Sequence, residues 1–202
     1  MTPNLDKPHM RRRHFLSAAL ATGTVLSVPA VLLGRPGRVH ALDTDLETLH
    51  QGWSDYLADT AELPGPGTPL DISEEQWRER LPADAFEVLF RDATERPGSS
   101  PLDDEHRRGV FACRACDLPL FTSAMKFDSG TGWPSFFTAI PDHLETSRDF
   151  KLILPRTEYH CVRCGGHQGH VFDDGPAPTG QRWCNNGVAL RFVPTDGGEG
   201  EA

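Results

Sequence analysis

The sequence predicts a mainly β, α+β protein: an antiparallel β domain entered through short helices and tied by a four-cysteine metal clamp. Three observations carry this. Glycine and proline are plentiful, 19 and 17 of 202 residues, which favours short strands and turns over long helices. From Gly109 onward, short apolar stretches alternate with Gly, Pro and Asp turns. Four of the five cysteines fall in two C-x-x-C units, Cys113/Cys116 and Cys161/Cys164. The length suits one domain with a real core, and 38% hydrophobic residues argue against a disordered chain.

The chain begins with an export pattern. Arg11-Arg12-Arg13-His14-Phe15-Leu16 precedes an uncharged apolar run, Leu16 to Leu33, and Val39-His40-Ala41 offers a small-residue cleavage site. Arg12-Arg13-x-Phe15-Leu16 resembles the twin-arginine type of signal, which carries folded proteins. An uncleaved anchor and an ordinary export signal are the alternatives; Pro29 and Gly34 weaken the run as a spanning helix. The expected organisation is a signal over 1–41, a helical extension and linker over 42–80, the main domain over 81–195 and a flexible tail over 196–202. The mature protein is then expected in the periplasm of a bacterium, with no stable membrane association once the signal is cleaved, as a monomer.

The formal net charge is −9, and residues 1–41 hold six basic residues and one acid, which leaves −14 on the remainder. So acidic a body excludes a nucleic-acid footprint.

Leu46, Leu49, Trp53 and Leu57 recur at helical spacing and predict a helix over 44–60. Leu63-Pro64-Gly65-Pro66-Gly67 then reads as a linker. Ser73 with Gln76 three residues on forms a capping box, so a short helix follows to about Arg80. Pro82 suits the first turn of the next helix, with Phe86, Leu89 and Phe90 facing inward. Strands are expected over Phe150–Leu154, Tyr159–Val162 and Val188–Val193.

Cys113, Cys116, Cys161 and Cys164 present four thiolates, the number a tetrahedral Zn²⁺ takes, and 44 residues separate the two pairs. Gly165-Gly166 permits the tight turn of such a knuckle. Two disulfides are the rival in an exported protein, and iron fits the same ligands. Four cysteines close the coordination shell, so the role is structural, with one ion.

Cys184 is left over. An inert buried thiol is the plain reading, but its neighbours argue for reactivity. Arg182 supplies positive charge that favours a thiolate. Asn185, Asn186 and Gly187 are unusual company for a core cysteine. His167 and His170 lie upstream, and a histidine beside a thiol is the usual pairing of proton carrier and nucleophile. The two histidines could instead bind metal or cap turns. With four cysteines available for one ion, a second metal site is disfavoured.

Four stretches resemble one family: Phe127-Asp128-Ser129-Gly130-Thr131-Gly132-Trp133-Pro134-Ser135-Phe136, the cysteine knuckles, Gly169-His170-Val171-Phe172-Asp173-Asp174-Gly175-Pro176, and Arg182-Trp183-Cys184-Asn185-Asn186 ahead of Leu190-Arg191-Phe192. The motifs are long and in the right order. Over about residues 82–194 the chain resembles the B-type peptide-methionine sulfoxide reductases, which act on the R epimer. The resemblance implies two antiparallel β-sheets, flanking N-terminal helices and a structural zinc opposite the active site. It implies Cys184 as nucleophile, with His170, His167 and Asn186 at active-site positions and Trp133 on the substrate methyl. Phe136, Asp174 and Arg182 fall in matching motifs and join the substrate-side candidates, although core packing is the stronger reading of Phe136 and Phe137.

There are two departures. Many members carry a resolving cysteine where this chain has Thr131, so it resembles the single-cysteine subtype. Trp183 stands where Tyr or Phe is common, and a change of pocket packing is expected. The mechanism implied is attack of the Cys184 thiolate on the sulfoxide sulfur, protonation of the oxygen by His170, and a sulfenic acid on Cys184. A thioredoxin-like thiol donor would then reset it. A zinc-stabilised binding module without chemistry, or an A-type reductase, are the rivals; the Cys184–His170 combination and the motif order speak against them.

Overall fold

The computed structural model describes residues 46–59, 61–149 and 155–196. The export pattern, the predicted strand over 150–154 and the segment from Gly197 onward lie outside the described residues. Among the described residues, nine antiparallel strands build two sheets. The smaller joins β1 (Gly109–Cys113), β2 (Pro119–Thr122) and β9 (Leu190–Pro194) in the order β2-β1-β9. The larger joins β3 (Lys126–Phe127), β4 (Ser135–Phe136), β5 (Leu144–Asp149), β6 (Arg156–Cys161), β7 (His167–Phe172) and β8 (Arg182–Asn185) in the order β3-β4-β8-β7-β6-β5. The mainly β class with two antiparallel sheets is as expected.

The two sheets meet through aromatic side chains. Phe111, Phe121 and Phe192 come from the small sheet, Phe136 and Tyr159 from the large one, and all five are 0% exposed. Phe121 stacks on Phe136 at 4.0 Å, and Phe111 meets Phe136 edge-on at 5.0 Å. These rings bury large apolar areas and fix the sheets' relative position.

The helices follow the sequence signals. Helix α2 (Glu74–Arg80) carries the capping box at Ser73 and Gln76. Helix α3 (Ala83–Arg91) has Pro82 at its N-cap and buries Ala85, Phe86, Val88 and Leu89 against β7. Phe90 is half-buried and stacks on Trp77 at 5.3 Å. The first helix is shorter than its periodicity suggests. Helix α1 covers Leu46–Gln51, and a 3₁₀ turn follows at Trp53–Tyr56. Gly52 between them interrupts an already short helix, and glycine costs about 1 kcal/mol in a helix interior. The segment docks on the main body: Leu49 is buried, His50 Nε2 lies 2.8 Å from Thr138 Oγ1, and Thr195 Oγ1 donates to the Tyr56 carbonyl at 2.7 Å.

Strand β9 is shorter than the expected Val188–Val193, because Gly187–Ala189 forms a 3₁₀ turn. That turn connects β8 to the small sheet and lies against α3.

Candidate active site and cysteine clamp

The clamp forms where β1 and β6 end. Both knuckles have the same turn. Asp117 N–H donates to the Cys113 carbonyl and Gly165 N–H to the Cys161 carbonyl, each at 2.8 Å. Asp117 and Gly165 both take left-handed φ, 61° and 71°, which glycine adopts freely and aspartate tolerates. The four sulfurs lie within 4.8 Å of one another. Cys113–Cys164 is 3.6 Å and Cys116–Cys161 is 3.5 Å. Close sulfur pairs thus bridge the two knuckles, and all four cysteines are free of S–S bonds. A ZnS₄ tetrahedron with ~2.3 Å bonds has edges of roughly 3.8 Å, so the four residues fit such an ion closely.

Cys184 sits on β8 between β4 and β7. Its cross-strand partners are Ser135 on β4 and His170 on β7. Directly opposed residues share a sheet face, with Cβ atoms about 4.5–5.5 Å apart. Register alone thus brings the thiol and the imidazole together. Gly169 makes this approach possible: a Cβ there would meet the Cys184 carbonyl oxygen at 1.9 Å. A pocket of about 140 Å³ opens on this face, lined by Thr94, Trp133, Arg156, His170, Phe172, Cys184 and Asn186 among others.

Burial raises the Cys184 thiol above its ordinary value, despite the opposing pull of Arg182 and a hydrogen bond from Thr131. The expected lowering by Arg182 is therefore real but outweighed. Arg182 is also held by Asp174, in a bidentate pair at 2.8 and 2.9 Å, and lies over the Phe172 ring at 4.3 Å. Asp174 is exposed, and neither it nor Arg182 lines the pocket; together they brace its wall from outside.

His170 is held by Asp149. Its Nε2 lies 3.0 Å from Asp149 Oδ2, and Arg156 Nη2 donates to the same oxygen at 2.6 Å. Burial lowers the His170 value, partly offset by the Asp149 hydrogen bond. His167 is 1% exposed and does not line the pocket. Its ring stands 5.4 Å from that of His170 at 67°, and burial pushes its value down to about 4.

Asn186 lines the pocket but is tied on both sides. Its Oδ1 accepts from Glu95 N–H at 3.1 Å, and its Nδ2 donates to the Gln168 carbonyl at 3.0 Å. One N–H of Nδ2 is left for a ligand. Trp133 also lines the pocket, and its Nε1 donates to the Glu95 carbonyl at 3.3 Å. Glu95 further accepts from Gly187 N–H and from Val188 N–H, the latter at 3.0 Å. One residue thus fixes Trp133, Asn186 and the 3₁₀ turn after β8.

Two further placements differ from the motif reading, although core packing is already the stronger reading of Phe136. Phe136 is not a pocket residue: it is fully buried and stacked on Phe121. Its strand neighbour Ser135 opposes Cys184, so alternation turns Phe136 to the core face. The same alternation takes Trp183 away from the pocket, to pack edge-on against Tyr159 at 5.0 Å.

Sequence reasoning missed Asp149, Arg156, Glu95 and Gln168. Gln168 is fully buried between the two sulfur sites. Its Nε2 donates to Cys113 Sγ at 3.4 Å and its Oε1 accepts from Asn185 Nδ2 at 3.3 Å. Asn185 Oδ1 in turn accepts from the buried Tyr159 hydroxyl at 2.8 Å. Gln168 stands between the two predicted histidines, the one signal that could have marked it. The charged residues carried none, since a lone Asp, Glu or Arg reads as solvated surface.

An antiparallel sheet presenting a half-buried thiol opposite an imidazole braced by a carboxylate, with a closed four-thiol cluster elsewhere, defines a thiol-dependent enzyme class. The SelR domain model matches residues 81–194. A peptide methionine sulfoxide reductase MsrB of Leifsonia xyli subsp. xyli is 48% identical over 126 residues, 61% of this chain and 91% of that protein. One of Methanosarcina barkeri is 47% identical over 134 residues, 65% of this chain and 94% of its own. The chloroplastic peptide methionine sulfoxide reductase B1 of Oryza sativa subsp. japonica is 42% identical over 131 residues, 64% of this chain and 61% of its own. The chain belongs to the MsrB family.

Proposed function

We propose that this protein reduces the R epimer of methionine sulfoxide in proteins and peptides to methionine, through a sulfenic acid on Cys184 and an external thiol. The carrying observation is the opposition of Cys184 and His170 on adjacent strands, inside a pocket that also holds Trp133 and Asn186.

The pocket starts with a protonated thiol and a neutral imidazole. With sulfoxide seated, His170 takes the thiol proton and Asp149 stabilises the resulting imidazolium. The thiolate sulfur attacks the sulfoxide sulfur. His170 returns the proton to the oxygen as the S–O bond breaks. The hydroxyl passes to the Cys184 sulfur as the transient bond between the two sulfurs breaks, which leaves –SOH on Cys184 and releases methionine; the substrate sulfur is reduced by two electrons and Cys184 is oxidised by two. The spare N–H of Asn186 supports the oxygen as it gains charge. The Trp133 ring holds the S-methyl group.

Thr131 occupies the position of the family's resolving cysteine, and the sequence has no cysteine beyond the clamp and Cys184. An external thiol therefore attacks the sulfenic sulfur and releases water, and a second thiol frees Cys184 as a disulfide forms on the donor. A thioredoxin-like protein is the donor this reading favours. One Zn²⁺ held by Cys113, Cys116, Cys161 and Cys164 would supply cross-linking of the two sheets and no reaction chemistry. The Arg12-Arg13 pattern and apolar run support export to the periplasm through the twin-arginine route.

The test is an assay of both sulfoxide epimers with a small dithiol as reductant. Turnover of the R epimer alone, lost in Cys184→Ser, is expected. Turnover of the S epimer, or full activity in Cys184→Ser, contradicts the reading.

A further inference from the structure

We propose that Asp92, His160 and His167 form a second metal site, for an exchangeable divalent transition ion such as Zn²⁺, beside the catalytic pocket. One ligand atom from each lies within 4.8 Å of the others. The three come from separate elements: Asp92 caps the C-terminus of α3, His160 is on β6 and His167 on β7. His160 and His167 oppose one another in the β6–β7 ladder, with rings 5.4 Å apart. Two distant histidines therefore form a preset pair, and Asp92 closes the triangle.

The second observation is His167 itself. Its Nδ1 is buried with no hydrogen-bond partner, and Glu158 Oε2, at 3.7 Å, is beyond hydrogen-bond reach. A buried polar atom left in that state costs about 1–3 kcal/mol, and an ion would remove the deficit. Two imidazoles and a carboxylate are the ligand set of zinc sites that keep an open fourth position. Glu158 adds negative charge beside the set. Asp92 is exposed and His160 half-buried, so an ion reaches the set from solvent. Without thiolates, the site holds its ion far less tightly than the clamp does.

An ion here would fix the His167 ring and set a double positive charge near His170, 5.4 Å from it ring to ring. His170 would then take up a proton less readily. The occupied site therefore inhibits turnover reversibly. This inhibitory effect rests on the function proposed above; the binding itself does not.

The test starts from protein whose clamp is already filled with zinc, titrated with Co²⁺. A second ion per chain is expected, with visible bands of a nitrogen and oxygen site and no thiolate charge-transfer band. Affinity for it should fall at least ~10-fold in His160→Gln and in Asp92→Asn, with the first ion retained. Asp92 is exposed, so its variant stays informative if the other fails to fold. In the activity arm, micromolar Zn²⁺ should slow the parent severalfold, a chelator should restore it, and both variants should resist. No second ion, or a second ion indifferent to both substitutions, overturns the site. Binding without inhibition overturns the inhibitory role alone. An enzyme without reductase activity leaves the titration to decide the site independently.

Discussion

The clamp and the Cys184 pocket hold the same functional group under opposite rules. In the clamp, each thiol has three others within 4.8 Å, and two matching turns set the spacing. At Cys184 the neighbours are an imidazole, hydroxyls and a guanidinium, and the sulfur faces a pocket of about 140 Å³. Gln168 touches both regions, with its amide on Cys113 Sγ and its carbonyl on Asn186. The company a thiol keeps decides its role. Burial alone does not, since both regions are largely buried.

The two sites should fail in opposite ways. Cys184→Ser should abolish turnover, a loss of ~10⁴-fold or more, and leave the melting temperature within about 2 °C of the parent. Cys116→Ser should do the reverse, releasing zinc and lowering the melting temperature by roughly 10 °C or more. Kinetics and calorimetry on the two variants check both halves.

A smaller effect is expected at the carboxylate that serves only the reactive side. Asp149→Asn removes the charge that stabilises protonated His170. It should lower kcat by about 10²-fold with KM little changed. Steady-state kinetics against pH decide it.

The third effect is on stability. His167 has a folded value near 4, below its ordinary 6.5. Between these values the unfolded chain binds more protons than the folded one. Stability is therefore complete above about pH 6.5 and declines as pH falls toward 4, by a few kcal/mol. Urea unfolding with chelator present, compared with His167→Gln, should show this slope in the parent and lose it in the variant.

The smallest effect is expected at the bridge. Gln168→Leu keeps the volume and the backbone carbonyl but removes two side-chain hydrogen bonds. A loss of about 1–2 kcal/mol in stability and a several-fold fall in kcat are expected. Zinc release, followed with a chromogenic chelator, should be faster.

Much of this was legible before any coordinates. The cysteine spacing, the Ser73 capping box and the histidines flanking Gln168 are local patterns with local physical causes. Cys184 was marked by elimination, since pairing accounts for the other four. What stayed hidden depends on the fold bringing distant residues together. Asp149 reaches His170 only because β5, β6 and β7 are neighbours. Glu95 holds the turn after β8 from 92 residues away. Phe136 lies in the core, as its stronger reading has it, and joined the substrate-side candidates only because a motif names neighbours along the chain, whereas strand alternation sends adjacent residues to opposite faces. Trp183 was misplaced for the same reason.

In the proposed mechanism Cys184 carries the oxidation alone while the clamp stays closed. One equivalent of the R sulfoxide, added to zinc-loaded enzyme without reductant and followed by dimedone, tests it by mass spectrometry. One dimedone adduct is expected, on Cys184, with four unmodified clamp cysteines and zinc retained. An intramolecular disulfide joining Cys184 to a clamp cysteine, or an adduct on any of those four, would contradict it.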